Sequence, residues 1–156
     1  MKLFIMRHGE AEYRPGPDES RRLTSHGRHQ ASLMTGLCKP EIDSASSVLV
    51  SPYIRARETA DILLAERGLE PVVYDGICPE SSVSALADYL QDKRVQSCWL
   101  VTHMPFSGLL VDYLVYGDNR QVTGLDTADV VCLQAGDWLP GCATLKWHRY
   151  WRDGEV

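Results

Sequence analysis

The chain has 156 residues, 44% hydrophobic and 24% charged, which suits one globular domain over 1–156 and excludes disordered, collagen-like and coiled-coil readings. Twenty-one acidic against 16 basic side chains give a net charge of −5, which argues against affinity from bulk phosphate-backbone neutralisation but leaves room for a small positive pocket. The five cysteines form no CxxC pair, so neither a zinc knuckle nor a thioredoxin-type redox pair is indicated. Apolar neighbours around each suggest small buried hydrophobes.

Only four consecutive apolar residues, Leu3 to Met6, precede Arg7. That is too short for a signal-peptide core or a membrane span, so a cytoplasmic protein with no membrane partner is expected. The same run, closed by Arg7-His8-Gly9, reads as a strand buried on both faces. Glu10 to Arg22 is a polar loop with Pro15, Gly16, Pro17 and Asp18 at its centre, and a loop of that length is often functional. Thr24 is the expected N-cap of a helix through His29, Ala31 and Leu37. Val48 to Val50 predicts a second strand. Ser51 then reads as an N-cap and Pro52 as the first residue of a helix that carries Tyr53, Ala56, Ala60, Leu63 and Leu64 and stops at Gly68.

Val72 to Tyr74 predicts a third strand. Ser81 or Ser82 caps a helix with Val83, Leu86 and Leu90 on its inner face. Cys98 to Thr102 predicts a fourth strand, followed by His103 and a helix from near Pro105. Beyond Gly117, Asp129 to Leu133 and Ala143 to His148 read as two strands joined by a Gly/Pro turn. Alternating strands and helices imply an α/β fold, a mostly parallel mixed sheet flanked by helices, with a C-terminal antiparallel element.

Ligands of open α/β sheets bind beyond the carboxyl ends of the strands. There the sequence puts Arg7 and His8 after the first strand, Arg55 one turn into the helix after the second, and His103 after the fourth. Two guanidinium forks suit the oxygens of a phosphoryl group. An imidazole between them stays neutral, because their charge opposes its protonation, and is a competent nucleophile for phosphorus. The second histidine can donate to a phosphoryl oxygen as charge develops. With no metal-ligand cluster, Walker motif or GxGxxG in the sequence, covalent phosphoryl transfer without metal or cofactor is the expected chemistry.

Leu3 to Ala11, with Arg7-His8-Gly9 at its centre, resembles the opening signature of the histidine phosphatase superfamily, whose members include phosphoglycerate mutases. Leu23-Thr24-Ser25-His26-Gly27 is similar to its LTxxG helix start, and Ser51 to Ala60 to its SPxxRAxxT segment. Val101-Thr102-His103-Met104-Pro105 resembles the second-histidine motif of bacterial phosphohistidine phosphatases of the SixA type. Thr127-Ala128-Asp129-Val130 looks like that subfamily's penultimate strand, although the resemblance weakens after about Gly117. The resemblance implies a phosphoglycerate mutase-like fold, His8 as the transiently phosphorylated nucleophile, Arg7 and Arg55 as the phosphoryl clamp, and His103 completing the pocket. Glu10, Glu80 and Met104 are further candidates for substrate binding.

Many relatives carry a glutamate after the third strand that protonates an alcohol leaving group. Here that stretch reads Ile77-Cys78-Pro79-Glu80, with Pro79 where the acid would align and Glu80 one place later. A phosphoramidate leaves as imidazole once its nitrogen is protonated and depends less on such an acid. Connections are short except Glu10 to Arg22 and Tyr116 to Asp126, which suits a phosphoryl group presented on another protein. The expectation is a monomeric phosphohistidine phosphatase acting on a histidine phosphotransfer domain of a bacterial signalling relay. The alternative is a phosphomonoesterase of the same fold acting on a sugar phosphate or nucleotide, with Glu80, Glu10 or Glu12 as general acid. Lys146 to Arg152 interleaves basic and aromatic residues as a nucleic-acid platform would. In an acidic chain it reads instead as an edge strand whose charges discourage edge pairing, with no nucleic-acid partner.

Overall fold

A strand with no polar face must lie inside a sheet covered on both sides. Leu3, Phe4, Ile5 and Met6 of β1 (Lys2–Arg7) are such a run, all buried. In the computed structural model, which describes residues 1–118 and 123–155, β1 is joined by β2 (Ser47–Val50), β3 (Val72–Val73), β4 (Ser97–Thr102), β5 (Val130–Gln134) and β6 (Thr144–Arg149). The order across the sheet is β3-β2-β4-β1-β5-β6. The first four strands are mutually parallel, whereas β5 runs antiparallel to β1 and to β6. The α/β architecture and the antiparallel C-terminal element expected from the sequence are both present. Residues 119–122, within the Tyr116–Asp126 connection, lie outside the described residues.

Strand alternation divides the interior into two cores. Leu3, Ile5, Leu49, Leu100 and Val131 pack beneath α4 (Val83–Asp92) and α5 (Phe106–Tyr116). Phe4, Met6, Val48, Val50, Trp99 and Val101 pack beneath α1 (Ser25–Leu37), α2 (Lys39–Asp43) and α3 (Ile54–Leu64). Thr24 caps α1 by accepting from Gly27 N at 2.9 Å, and Ser82, not Ser81, caps α4.

Several local expectations are corrected. The helix after β2 starts at Ile54 with Tyr53 as its N-cap, two residues beyond Pro52, and ends at Leu64 rather than Gly68. Ser51 accepts from Tyr53 N at 3.3 Å, but in the turn before the helix. The five-residue α2 is too short to show a hydrophobic period. The cysteines are not uniformly buried: Cys38, Cys98 and Cys132 are, Cys78 is half-buried and Cys142 is exposed.

The last strand, β6, is one edge of the sheet, opposite β3, with Trp147 packed against the core and Arg149 stacked over its ring at 4.0 Å. Among the described residues no helix is long and apolar enough to cross a membrane.

Candidate active site

Strand register sets the site. Arg7 pairs with Thr102 across β1 and β4, and Val50 pairs with Val101 across β2 and β4. The three central strands therefore end level, and His8, Ser51 and His103 leave from one edge of the sheet. The turn after β1 is pinned to two helices. Gly9 N donates to Thr59 Oγ1 at 3.1 Å, and that hydroxyl donates to Arg55 O at 2.7 Å. Gly9 and Gly27 lie against each other's turn so closely that a Cβ on Gly9 would strike the backbone of Gly27, and one on Gly27 the backbone of Glu10. This contact is the physical reason for glycine in both the Arg-His-Gly and the LTxxG segments.

His8 is buried, and its partners fix its tautomer. The Gly9 carbonyl only accepts, so Nδ1, 2.7 Å away, carries the hydrogen. Arg55 Nε only donates, so Nε2, 3.1 Å away, presents a lone pair. Burial, then the charges of Arg55, Arg7 and Arg21, pull the imidazole down to about 3, against a raising contribution from the Gly9 carbonyl. At neutral pH His8 is an uncharged base whose lone pair lies on Nε2 and accepts from Arg55.

Arg55 is 4% exposed, so its charge needs partners. Its Nη1 and Nη2 donate to the main-chain carbonyl and the carboxylate of Asp18 at 2.8 and 3.0 Å. Arg21 reaches the other carboxylate oxygen of Asp18 at 2.9 Å. The long polar loop thus delivers an acid to the outer end of Arg55.

His103 is buried, its ring centroid 5.1 Å from that of His8 and 4.8 Å from that of Tyr53. Its Nε2 lies 2.7 Å from Ser51 Oγ, while Nδ1 is buried with no hydrogen-bond partner among the described residues. Burial, then the proximity of His8 and Arg55, pulls it down to about 2, against the opposing charge of Asp18. Arg7 donates from Nη1 to Leu125 O at 2.9 Å, and its Nε is buried with no hydrogen-bond partner among the described residues. Burial pulls Arg7 down as well, against the carboxylates of Asp126 and Asp129.

The remaining candidates are less engaged. Glu80 and Glu10 are exposed, and Glu10 accepts from Thr24 Oγ1 at 2.8 Å. Met104 is half-buried, its sulfur 3.2 Å from Ser107 Oγ, and lines an apolar cavity with Pro105, Leu109 and Thr123. The loop acid Glu12 is held down by its hydrogen bond from Arg14.

Two contributors escaped the sequence. Ser51 read only as a cap, and Asp18 only as turn chemistry. Asp18 followed by Arg21 in a loop too long for a plain connection was the signal available. Among the described residues, no group of three or more His, Cys, Asp or Glu is placed to hold a metal ion. Two neutral imidazoles beside two guanidinium groups can receive a tetrahedral oxyanion, attack its centre and spread its charge.

The profile described as Histidine phosphatase superfamily (branch 1) matches residues 3–78. The Phosphohistidine phosphatase SixA homolog of Haemophilus influenzae is 37% identical over 137 residues, 79% of this chain and 82% of that protein. Phosphohistidine phosphatase SixA of Escherichia coli is 34% identical over 126 residues, 76% of this chain and 77% of that one. Among solved structures, the protein histidine phosphatase SixA complexed with tungstate superposes with a TM-score of 0.81 at 28% identity, covering 98% of this chain and 99% of its own.

Proposed function

The chain belongs to the histidine phosphatase superfamily, a family of metal-independent phosphatases, and on that premise we propose that it hydrolyses phosphohistidine on a protein. The partner we propose is a histidine phosphotransfer domain of a signalling relay, which dephosphorylation would reset. The observation that carries the reading is the tautomer of His8, with Nδ1–H held by Gly9 O and the unprotonated Nε2 accepting from Arg55 Nε.

In the first step Arg55 Nε–H turns from His8 to a phosphoryl oxygen, the Nε2 pair so released forms a bond to phosphorus as the substrate's P–N bond breaks, and the electron pair of that bond stays on the departing ring nitrogen. His8 keeps its Nδ1 proton, so its ring becomes cationic, and the Gly9 carbonyl stabilises that charge. Arg7 and Arg55 hold the phosphoryl oxygens. With the Ser51 hydroxyl donating to Nε2 of His103, the Nδ1–H of His103 is the donor for the third oxygen. Water then attacks phosphorus, inorganic phosphate leaves, and His8 regains its pair.

This exchange passes phosphoryl from one imidazole to another and requires no proton from an enzymic acid. Support comes from the two relatives named as phosphohistidine phosphatases, and from the state of the loop acids Glu12 and Asp18, both held below the usual carboxylate range. An ester phosphatase needs a protonated acid for its alkoxide.

The test is parallel turnover of a phosphohistidine peptide, a phosphorylated phosphotransfer domain and a panel of sugar and nucleotide monophosphates. The reading predicts kcat/KM on the phosphohistidine substrates at least about 100-fold above any ester, the scale of one positioned acid–base group. Ester turnover that equals it and is abolished by Glu80→Gln would favour the small-molecule alternative.

A further inference from the structure

Arg55 joins two groups that the proposed mechanism leaves apart. Its Nε meets His8 Nε2 at 3.1 Å, and the other end of its planar guanidinium meets Asp18, through Nη1 to the main-chain carbonyl at 2.8 Å and Nη2 to the carboxylate at 3.0 Å. A phosphoryl group lying along that guanidinium, with the His8 nitrogen on one side, has Asp18 towards its other side. In-line displacement puts the leaving group on that other side. In that pose Asp18, besides pairing the buried Arg55, stands on the side of the departing group.

From this geometry we propose that Asp18 is a specificity-determining residue whose carboxylate accepts a hydrogen bond from the ring N–H of the phosphohistidine being cleaved. The inference rests on the phosphohistidine reading above and extends it to one residue. A phosphorylated imidazole that carries a proton on its second nitrogen is cationic. When its P–N bond breaks, the pair returns to the ring and neutral imidazole leaves with that proton still attached. Without the proton, the leaving group is an imidazolide anion, far harder to expel. A carboxylate beside the second nitrogen favours the cleavable form and opposes anionic leaving groups such as those of phosphorylated sugars.

Asp18 has the capacity for this contact. An ionised carboxylate offers roughly four acceptor positions, of which Arg55 takes one on Oδ2 and Arg21 one on Oδ1. Its side chain is 53% exposed against 5% for Arg55, so a ring arriving from outside meets it first. Burial pushes the carboxyl up, but hydrogen bonds from Arg55 and Arg21 outweigh this and keep it ionised. The charged and titratable groups around it are Arg21 and Glu19 on its own loop, Arg55 and Tyr53 at the start of α3, and His103 after β4.

The experiment measures kcat/KM from pH 5 to 10 on a phosphohistidine peptide and on p-nitrophenyl phosphate, for the wild type, Asp18→Asn and Asp18→Glu. Asp18→Asn is expected to lower turnover of the peptide about tenfold more than that of the ester, to move the alkaline limb of the peptide profile about one pH unit lower, and to be partly rescued by Asp18→Glu. Equal losses on both substrates with an unmoved alkaline limb would overturn the proposal, because Asp18 would then act only by holding Arg55. A wild type that turns over the ester but not the peptide would instead overturn the phosphohistidine reading beneath it.

Discussion

Nε of Arg55 donates to Nε2 of His8 across 3.1 Å, a hydrogen bond that exists only while the imidazole is neutral and its proton sits on Nδ1. The same contact orients the ring, fixes its tautomer and brings a permanent positive charge against the nitrogen proposed to attack phosphorus.

The neutral, buried histidines make stability depend on pH. His8 titrates near 3 and His103 near 2 in the fold, against about 6.5 when exposed. Both folded values are depressed, so below pH 6.5 the unfolded chain binds more protons and stability falls with falling pH. Each histidine contributes a slope of roughly 1.4 kcal/mol per pH unit in that window, or about 2–3 kcal/mol for the pair between pH 7 and 5.5. Urea unfolding at those two pH values measures it, and His103→Gln should about halve the difference.

Arg55→Lys keeps a positive charge but cannot span His8 and Asp18 together. One ammonium replaces three directed N–H contacts. We expect kcat to fall by about 10²–10³-fold, the cost of one lost transition-state donor, with the circular dichroism spectrum unchanged. Full activity in steady-state assays would remove the clamp from the account.

Ser51→Ala removes the hydroxyl that, among the described residues, partners Nε2 of His103, and leaves a buried ring nitrogen unsatisfied. The expected destabilisation is about 1–3 kcal/mol, read by thermal unfolding. Loss of the tautomer should also lower kcat about tenfold with little change in KM, because a donor needed in the transition state is misdirected. Ser51→Thr, which retains the hydroxyl, should recover most of the loss.

Much of this was legible because the chemistry lies where strands end. An apolar run that stops at Arg7-His8-Gly9, and another that stops at Thr102-His103, place imidazoles at a sheet edge before any contact is known. The level ending of β1, β2 and β4 was not legible, since register depends on pairing partners and not on local sequence. The second role of Ser51 is hidden in the sequence for a similar reason. A hydroxyl before proline fits the N-cap pattern, and only the approach of His103 from 52 positions away gives it a second role. Asp18 lay in a loop without periodicity, and its partner on α3 is 37 positions distant. The two-residue shift in the start of α3 follows from Pro52 and Tyr53 staying outside the helix, with Tyr53 extended at φ −64° and ψ 138°.

Every step proposed for the site follows from Nε2 of His8 taking the phosphoryl group. Rapid mixing with a 32P-labelled phosphohistidine peptide, quenched in alkali to preserve P–N bonds and followed by digestion and mapping, tests it most directly. Label is expected on His8 alone, attached at Nε2, appearing before inorganic phosphate and missing in His8→Ala. Phosphate released at the full rate with no labelled enzyme, or label attached to His103 or to Nδ1 of His8, would contradict it.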